Sequence, residues 1–200
     1  MTTLRRSTPR SLQMAAPDPS QPHLAWWARL VSFLTTPGTG QVRAGLPPMA
    51  RRSCFDMMIA SHLAFVPAIV IAAGRSPGLP ELVALQSAVL ALSVGYHRNY
   101  ERPGLLAKGE GLSAKVLFVY GAVQTGLSPT TGLLLLNCCC MLLTFAAFIM
   151  TNFDKSHYDS WHPIGLHIVP GVWAALVAYG QASLIPAAWL MTVGVHANGV

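Results

Sequence analysis

The sequence has little charge. Only 10% of its 200 residues are Asp, Glu, Lys or Arg, whereas 52% are hydrophobic; soluble domains carry about 25% charged residues. This deficit excludes an ordinary soluble domain and predicts an integral membrane protein. Acids are fewest, seven against thirteen Lys and Arg. No basic stripe alternates with aromatic residues, so nucleic acid is not an expected partner, and the expected partners are membrane lipids.

The first 50 residues lack a long apolar run and contain a single acidic residue, Asp18. Their arginine-rich, proline-rich composition is compatible with an organellar transit peptide or with a disordered cytosolic tail. Within this region, Leu24 to Leu34 predicts a short amphipathic helix, with Trp26 and Trp27 at the membrane interface. The chain therefore divides into an N-terminal region, 1–50, and a transmembrane domain, 51–200.

Cysteine is also scarce, and three of the four cysteines are adjacent, at positions 138, 139 and 140. They lie in an apolar run. Neighbours about 100° apart on a helix cannot surround one metal ion. These cysteines are interpreted as packing residues, with reversible acylation as the alternative.

What the sequence does contain is a series of apolar runs, which predict an all-α, polytopic bundle of about five spanning helices. The predicted helices are Cys54–Ala73, Leu79–Tyr96, Leu112–Leu127, Thr131–Thr151 and one from Pro163 to about Leu184. Seven basic residues precede the first helix, Arg98, Arg102 and Lys108 follow the second, and Lys155 follows the fourth. By the positive-inside rule the N-terminus is cytoplasmic, so His97 and the stretch from Asp159 to His167 share one membrane face.

That stretch belongs to the most polar segment between apolar runs, Asn152 to Pro170, which has three of the seven histidines and two of the seven acids. Ionisable side chains at the edge of hydrocarbon are costly, which favours a functional site; the alternative is a polar interfacial loop. Because proline is favoured at the first helical position, a helix is predicted to begin at Pro163, with His162 in the preceding loop. His62, in the first helix, is interpreted as bonded to a neighbouring helix.

Four segments resemble, in order, myomaker and its relatives in the CREST superfamily, which also contains alkaline ceramidases and adiponectin receptors. They read LAFVPAIVIAAGRS, SVGYHRNYERPG, VLFVYG and YDSWHPIGLH. The resemblance implies a seven-helix fold, here shortened, with Ser-x3-His ending the second helix and a histidine pair in the last. Ser93 and His97 match the first element. His162 and His167 stand for the pair, but they are five apart, about 140° round an α-helix, where the family has His-x3-His.

This resemblance implies zinc-dependent hydrolysis of a lipid amide or ester. The zinc ligands would be His97, His162 and His167, with His157 or His62 replacing His167 if that ring points away. Ser93 would bond the attacking water or the developing oxyanion, and Asp159 or Glu110 would orient a ligand or accept a proton. The alternatives are a non-catalytic relative with a structural hydrogen-bond network and, less favoured by the position of the charges, a transporter or channel.

Overall fold

A computed structural model describes residues 46–47, 49–75, 78–153 and 158–180. Within these ranges all regular structure is helical and there are no strands. The predicted targeting region, the amphipathic helix from Leu24 to Leu34, His157 and the end of the last predicted helix lie outside the described residues.

Seven α-helices, a 3₁₀ turn and a π-helical segment follow one another along the described chain. They are α1 Met57–Ala60, the 3₁₀ turn Ser61–Phe65, α2 Val66–Gly74, α3 Pro80–Arg98, α4 Leu105–Gly126, α5 Thr131–Phe153, α6 Tyr158–His162, the π segment Pro163–Ile168 and α7 Val169–Gly180. We call Met57–Gly74 the first segment and Tyr158–Gly180 the last segment.

Three stretches are long and apolar enough to cross a membrane: the first segment, Thr131–Thr151 within α5, and the last segment. The large apolar side chains that α5 exposes, among them Leu135, Leu142 and Leu143, are compatible with contact to lipid tails. The described residues are therefore compatible with an integral membrane protein. The number of crossings stays a prediction, because α3 and α4 are not among the stretches that are long and apolar enough to cross a membrane.

The start of α4 differs from the sequence prediction, since the helix begins at Leu105 instead of Leu112. Leu105 to Lys108 are strong helix formers, and they outweigh the cost of glycine inside a helix at Gly109 and Gly111. Gly104, at a φ of 154°, supplies the turn that precedes the helix. Glu110, which was expected just outside a helix, therefore lies within α4.

The last segment also begins earlier than predicted, at Tyr158 instead of Pro163. Proline has no N–H to donate in the helical ladder, and from Pro163 to Ile168 the chain forms a π-helix. In a π-helix the bonds run from i to i+5, so residues five apart lie nearly above one another. His162 and His167 consequently share a face, with ring centroids 4.9 Å apart, and the 140° separation of a regular α-helix does not arise.

The first and last segments pack closely because a glycine faces the backbone of the opposite segment. A Cβ atom at Gly171 would lie 2.5 Å from the carbonyl oxygen of Ala64. The 3₁₀ turn contacts the π segment and α2 contacts α7, while α3 packs between α2 and α4. This packing brings the 3₁₀ turn, the end of α3 and the π segment together at one end of the helices.

Candidate metal centre

Four buried imidazoles meet where these elements converge. His62 comes from the 3₁₀ turn, His97 from the last turn of α3, His162 from the end of α6 and His167 from the π segment; none is more than 2% exposed. The ring centroid of His97 lies 5.5, 4.8 and 5.1 Å from those of His62, His162 and His167 respectively. Among the described residues, His62, His97 and His167 form a group that could hold a metal ion, with one ligand atom of each within 4.8 Å of the others.

The outer hydrogen bonds fix which nitrogen of His97 and His62 faces the cluster. His97 donates from Nδ1 to Glu101 Oε1 at 2.8 Å, and His62 donates from Nδ1 to the carbonyl of Ile59 at 3.2 Å. Because a carboxylate and a carbonyl accept only, both rings carry their hydrogen on Nδ1. Nε2 of each ring is left with a lone pair, and that of His62 accepts from the Ser93 hydroxyl at 2.9 Å.

His167 is oriented in the same way by Ser61. The two side chains are joined through Nδ1 and Oγ at 2.7 Å, and the Ser61 hydroxyl donates to the carbonyl of Met58 at 3.4 Å. This pair of contacts allows the hydroxyl to accept from His167 Nδ1 while it donates to Met58, which would leave His167 Nε2 with a lone pair. Each of the three imidazoles is therefore held by an outer partner of the kind that accompanies metal-binding histidines.

His162 lies beside the group of three. Its Nε2 is 3.2 Å from His97 Nε2, so the expected approach of His97 and His162 is confirmed. The ring of Tyr158 packs against His162 at 4.6 Å between centroids. Two nitrogens bound to one tetrahedral zinc at 2.0–2.1 Å are about 3.4 Å apart, which makes His162 a candidate fourth donor.

The other predicted site residues lie at different distances from the imidazoles. Ser93 contacts His62 directly. Asp159 lies 3.4 Å from Arg52 Nη2, and the same guanidinium binds Glu101, so Asp159 belongs to a network outside the imidazoles. Glu110, on α4, is within electrostatic range of His97.

The sequence did not predict Ser61, Glu101 or Arg52 as site residues. It predicted His62 as a ligand only in place of His167. A signal existed for His62, because an ionisable residue within a spanning run is by default functional. For Glu101 the signal was its spacing four residues after His97, although Glu101 follows the end of the helix. Arg52 had none, since Glu101 and Asp159, the partners that link it to the site, are 49 and 107 residues away in sequence.

The donor set fits a zinc ion. Neutral imidazoles are preferred zinc ligands, and three of them would leave one position of a tetrahedral site for a fourth ligand. With mutual separations within 4.8 Å, the rings need to close by no more than about 1.4 Å to reach the ligand spacing of about 3.4 Å.

No protein-family model, curated protein or solved structure matches the chain. A function for this chain therefore has to be argued from the geometry and chemistry of the site itself.

Proposed function

We propose that this chain is a zinc-dependent membrane hydrolase that cleaves an amide or ester bond of a lipid, and that it is a shortened relative of the CREST superfamily. One observation carries the proposal: three buried imidazoles, His62, His97 and His167, lie within reach of one metal ion, each oriented by an outer hydrogen bond. Burying polar imidazole nitrogens in an apolar protein costs free energy unless they are bonded, and a metal ion would bind a nitrogen of each ring while the outer hydrogen bonds remain.

The depth of the cluster supports a lipid substrate. At about 1.5 Å per residue, His62 is roughly 8 Å from the start of the first segment and His167 roughly 14 Å from the start of the last. The hydrocarbon core is about 30 Å thick, with a polar interfacial layer on each side. With the starts of both segments placed in the interfacial layer, the imidazoles lie in the outer half of the membrane, on the side of one row of lipid amide and ester carbonyls.

The chain's own residues then have distinct roles. His62, His97 and His167 hold the metal, and the packed helices around them exclude bulk water. A zinc ion held there would lower the pKa of a bound water to about 7 and polarise a carbonyl. With the Nε2 lone pair of His62 given to the metal, the Ser93 hydroxyl would lose its acceptor and could donate to the developing oxyanion. The water oxygen adds to the carbonyl carbon, the bond from that carbon to the leaving nitrogen or oxygen breaks, and the leaving atom takes a proton from the water, so that an acid and an amine or alcohol form.

Substitution of Ser93 by alanine tests this role. We expect Ser93→Ala to keep one zinc per chain and to lower turnover of a fluorescent N-acyl or O-acyl lipid by about 100-fold, because a donor to the developing oxyanion acts in the transition state. The measurement pairs zinc content with hydrolysis in detergent micelles.

Ser87→Ala is the matched control, since Ser87 is on the same helix but exposed; it should change neither zinc content nor turnover. Equal loss of zinc and activity in Ser93→Ala would assign the hydroxyl to metal retention instead. A zinc-loaded wild-type protein that hydrolyses neither lipid class would contradict the hydrolase proposal.

A second candidate function follows from His162. Its Nε2 is 3.2 Å from that of His97, so four imidazoles could close the coordination shell, as four protein ligands do in structural zinc sites. This favours a non-catalytic membrane protein held together by its metal. X-ray absorption of the zinc-loaded protein separates the two functions: four nitrogen ligands support the structural role, and three nitrogens with one oxygen support hydrolysis.

The proposal includes five membrane crossings with a cytoplasmic N-terminus. In a variant with its four cysteines replaced by alanine, we expect Lys155→Cys and an N-terminal tag to react from the cytoplasmic side, because basic residues stay on that side. Thr130→Cys should react only from the opposite side. Reaction of both cysteines from one side of sealed vesicles would contradict five crossings, and permeabilised vesicles provide the control.

A further inference from the structure

The turn that ends α3 adopts a backbone conformation that its residues do not favour. Tyr100 and Glu101 have φ angles of 54° and 53°, in the left-handed region where a side chain is strained. The bonds from Glu101 N–H to the carbonyl of Tyr96 and from Tyr100 N–H to that of His97 form a Schellman motif, whose C′ position is usually glycine. A tyrosine and a glutamate here call for a compensating interaction.

Their side chains provide it. Glu101 is 2% exposed and its Oε1 accepts from His97 Nδ1 at 2.8 Å. Both Glu101 oxygens accept from Arg52 Nη2, at 3.2 and 3.1 Å. The Arg52 guanidinium in turn lies over the Tyr100 ring, with Cζ 4.7 Å from its centroid. The left-handed pair thus turns the carboxylate back onto the histidine that precedes it by four residues.

We propose that Glu101 is the positioning residue of the metal centre, aimed by Arg52, and that it fixes the His97 tautomer so that Nε2 is available to the metal. The proposal rests on the proposed function for the metal itself. An outer carboxylate of this kind orients the ring and raises its basicity, and its loss typically lowers metal affinity 10- to 100-fold.

The amide of glutamine cannot replace the carboxylate here. If the glutamine oxygen accepts from His97, the NH₂ group faces the Arg52 guanidinium, which is also a donor. If the oxygen faces Arg52, the NH₂ group faces the ring hydrogen of His97. If the NH₂ turns towards His97, the ring hydrogen moves to Nε2 and the ligand is lost. Aspartate keeps the charge beside Arg52, but it is one methylene shorter and falls short of His97.

The experiment measures zinc affinity of the purified full-length protein by competition with a chelator, with helicity of the zinc-free protein followed by circular dichroism. Glu101→Gln and Glu101→Asp should each weaken zinc binding by about 10- to 100-fold. Asp56→Asn is the matched control. Asp56 also contacts Arg52, at 3.4 Å, and asparagine retains the oxygen that caps the Met58 N–H. The zinc affinity of Asp56→Asn should therefore differ from that of the wild type by less than about threefold.

The outcomes are distinct. If wild-type protein binds zinc and Glu101→Asp binds it equally well, Glu101 is only an ion-pair partner of Arg52 and this inference is wrong while the proposed function stands. A wild-type protein without zinc affinity overturns both. Should Glu101→Gln not fold, Glu101→Asp decides alone, because aspartate preserves the buried ion pair and tolerates a left-handed backbone.

Discussion

His97→Ala is expected to abolish stoichiometric zinc binding. His97 contacts each of the other three imidazoles. It belongs both to the group His62, His97 and His167 and to the set predicted from the sequence, His97, His162 and His167. Removing it leaves at most two of the proposed ligands, which cannot complete a three-ligand protein site. The measurement is metal content per chain after dialysis, and we expect a fall from about one zinc to below about 0.1, with affinity reduced by more than the 100-fold that an outer partner gives.

Two further variants identify the third ligand. With the group His62, His97 and His167 as ligands, His62→Ala should lose zinc and His162→Ala should retain it, so that His162→Ala serves as the matched control of a buried imidazole. The reverse result would restore the ligand set read from the sequence, His97, His162 and His167. Retention of zinc by His97→Ala, with helicity unchanged, would show that the metal binds elsewhere.

Gly171→Ala is expected to lower the thermal stability of the protein. The new Cβ would lie 2.5 Å from the carbonyl oxygen and 2.7 Å from the carbonyl carbon of Ala64, and backbone atoms cannot rotate away as a side chain can. The first and last segments must separate, which we expect to cost about 1–3 kcal/mol, as overpacking does, or a fall of roughly 2–12 °C in apparent Tm. Zinc affinity should fall as well, since these segments carry His62 and His167.

Gly132→Ala is the control for this substitution. Gly132 is also helical, but no atom lies within 4 Å of its added Cβ. Because alanine favours helix over glycine, Gly132→Ala should leave the apparent Tm unchanged or raise it slightly. Thermal unfolding in one detergent compares the two variants. Equal Tm values for Gly171→Ala and the wild type would mean that the two segments do not pack as closely as described here.

Several elements were predictable from the sequence because they depend on local composition. The helix Thr131–Thr151 lies within α5, and the end of α2 at Gly74 and the start of α3 at Pro80 follow from the glycine and the proline at these positions. The approach of His97 and His162 followed from placing both at one membrane face, and their Nε2 atoms are 3.2 Å apart. The start of α4 was predicted too late because the charged and turn-forming residues between Arg98 and Gly111 indicated a loop, whereas the helix begins at Leu105.

The sequence by itself determined that this chain is helical and apolar, and that its histidines gather near the ends of predicted helices, since composition and periodicity act along the chain. Only the tertiary structure decided which imidazoles share a centre. His62 joins it because Gly171 lets the last segment approach the 3₁₀ turn, and His162 and His167 share a face because the π segment changes the angular spacing of residues five apart. Glu101 reaches His97 through a left-handed turn aimed by Arg52, 49 residues earlier. These contacts depend on close packing and helical register between distant residues, which a local pattern does not encode.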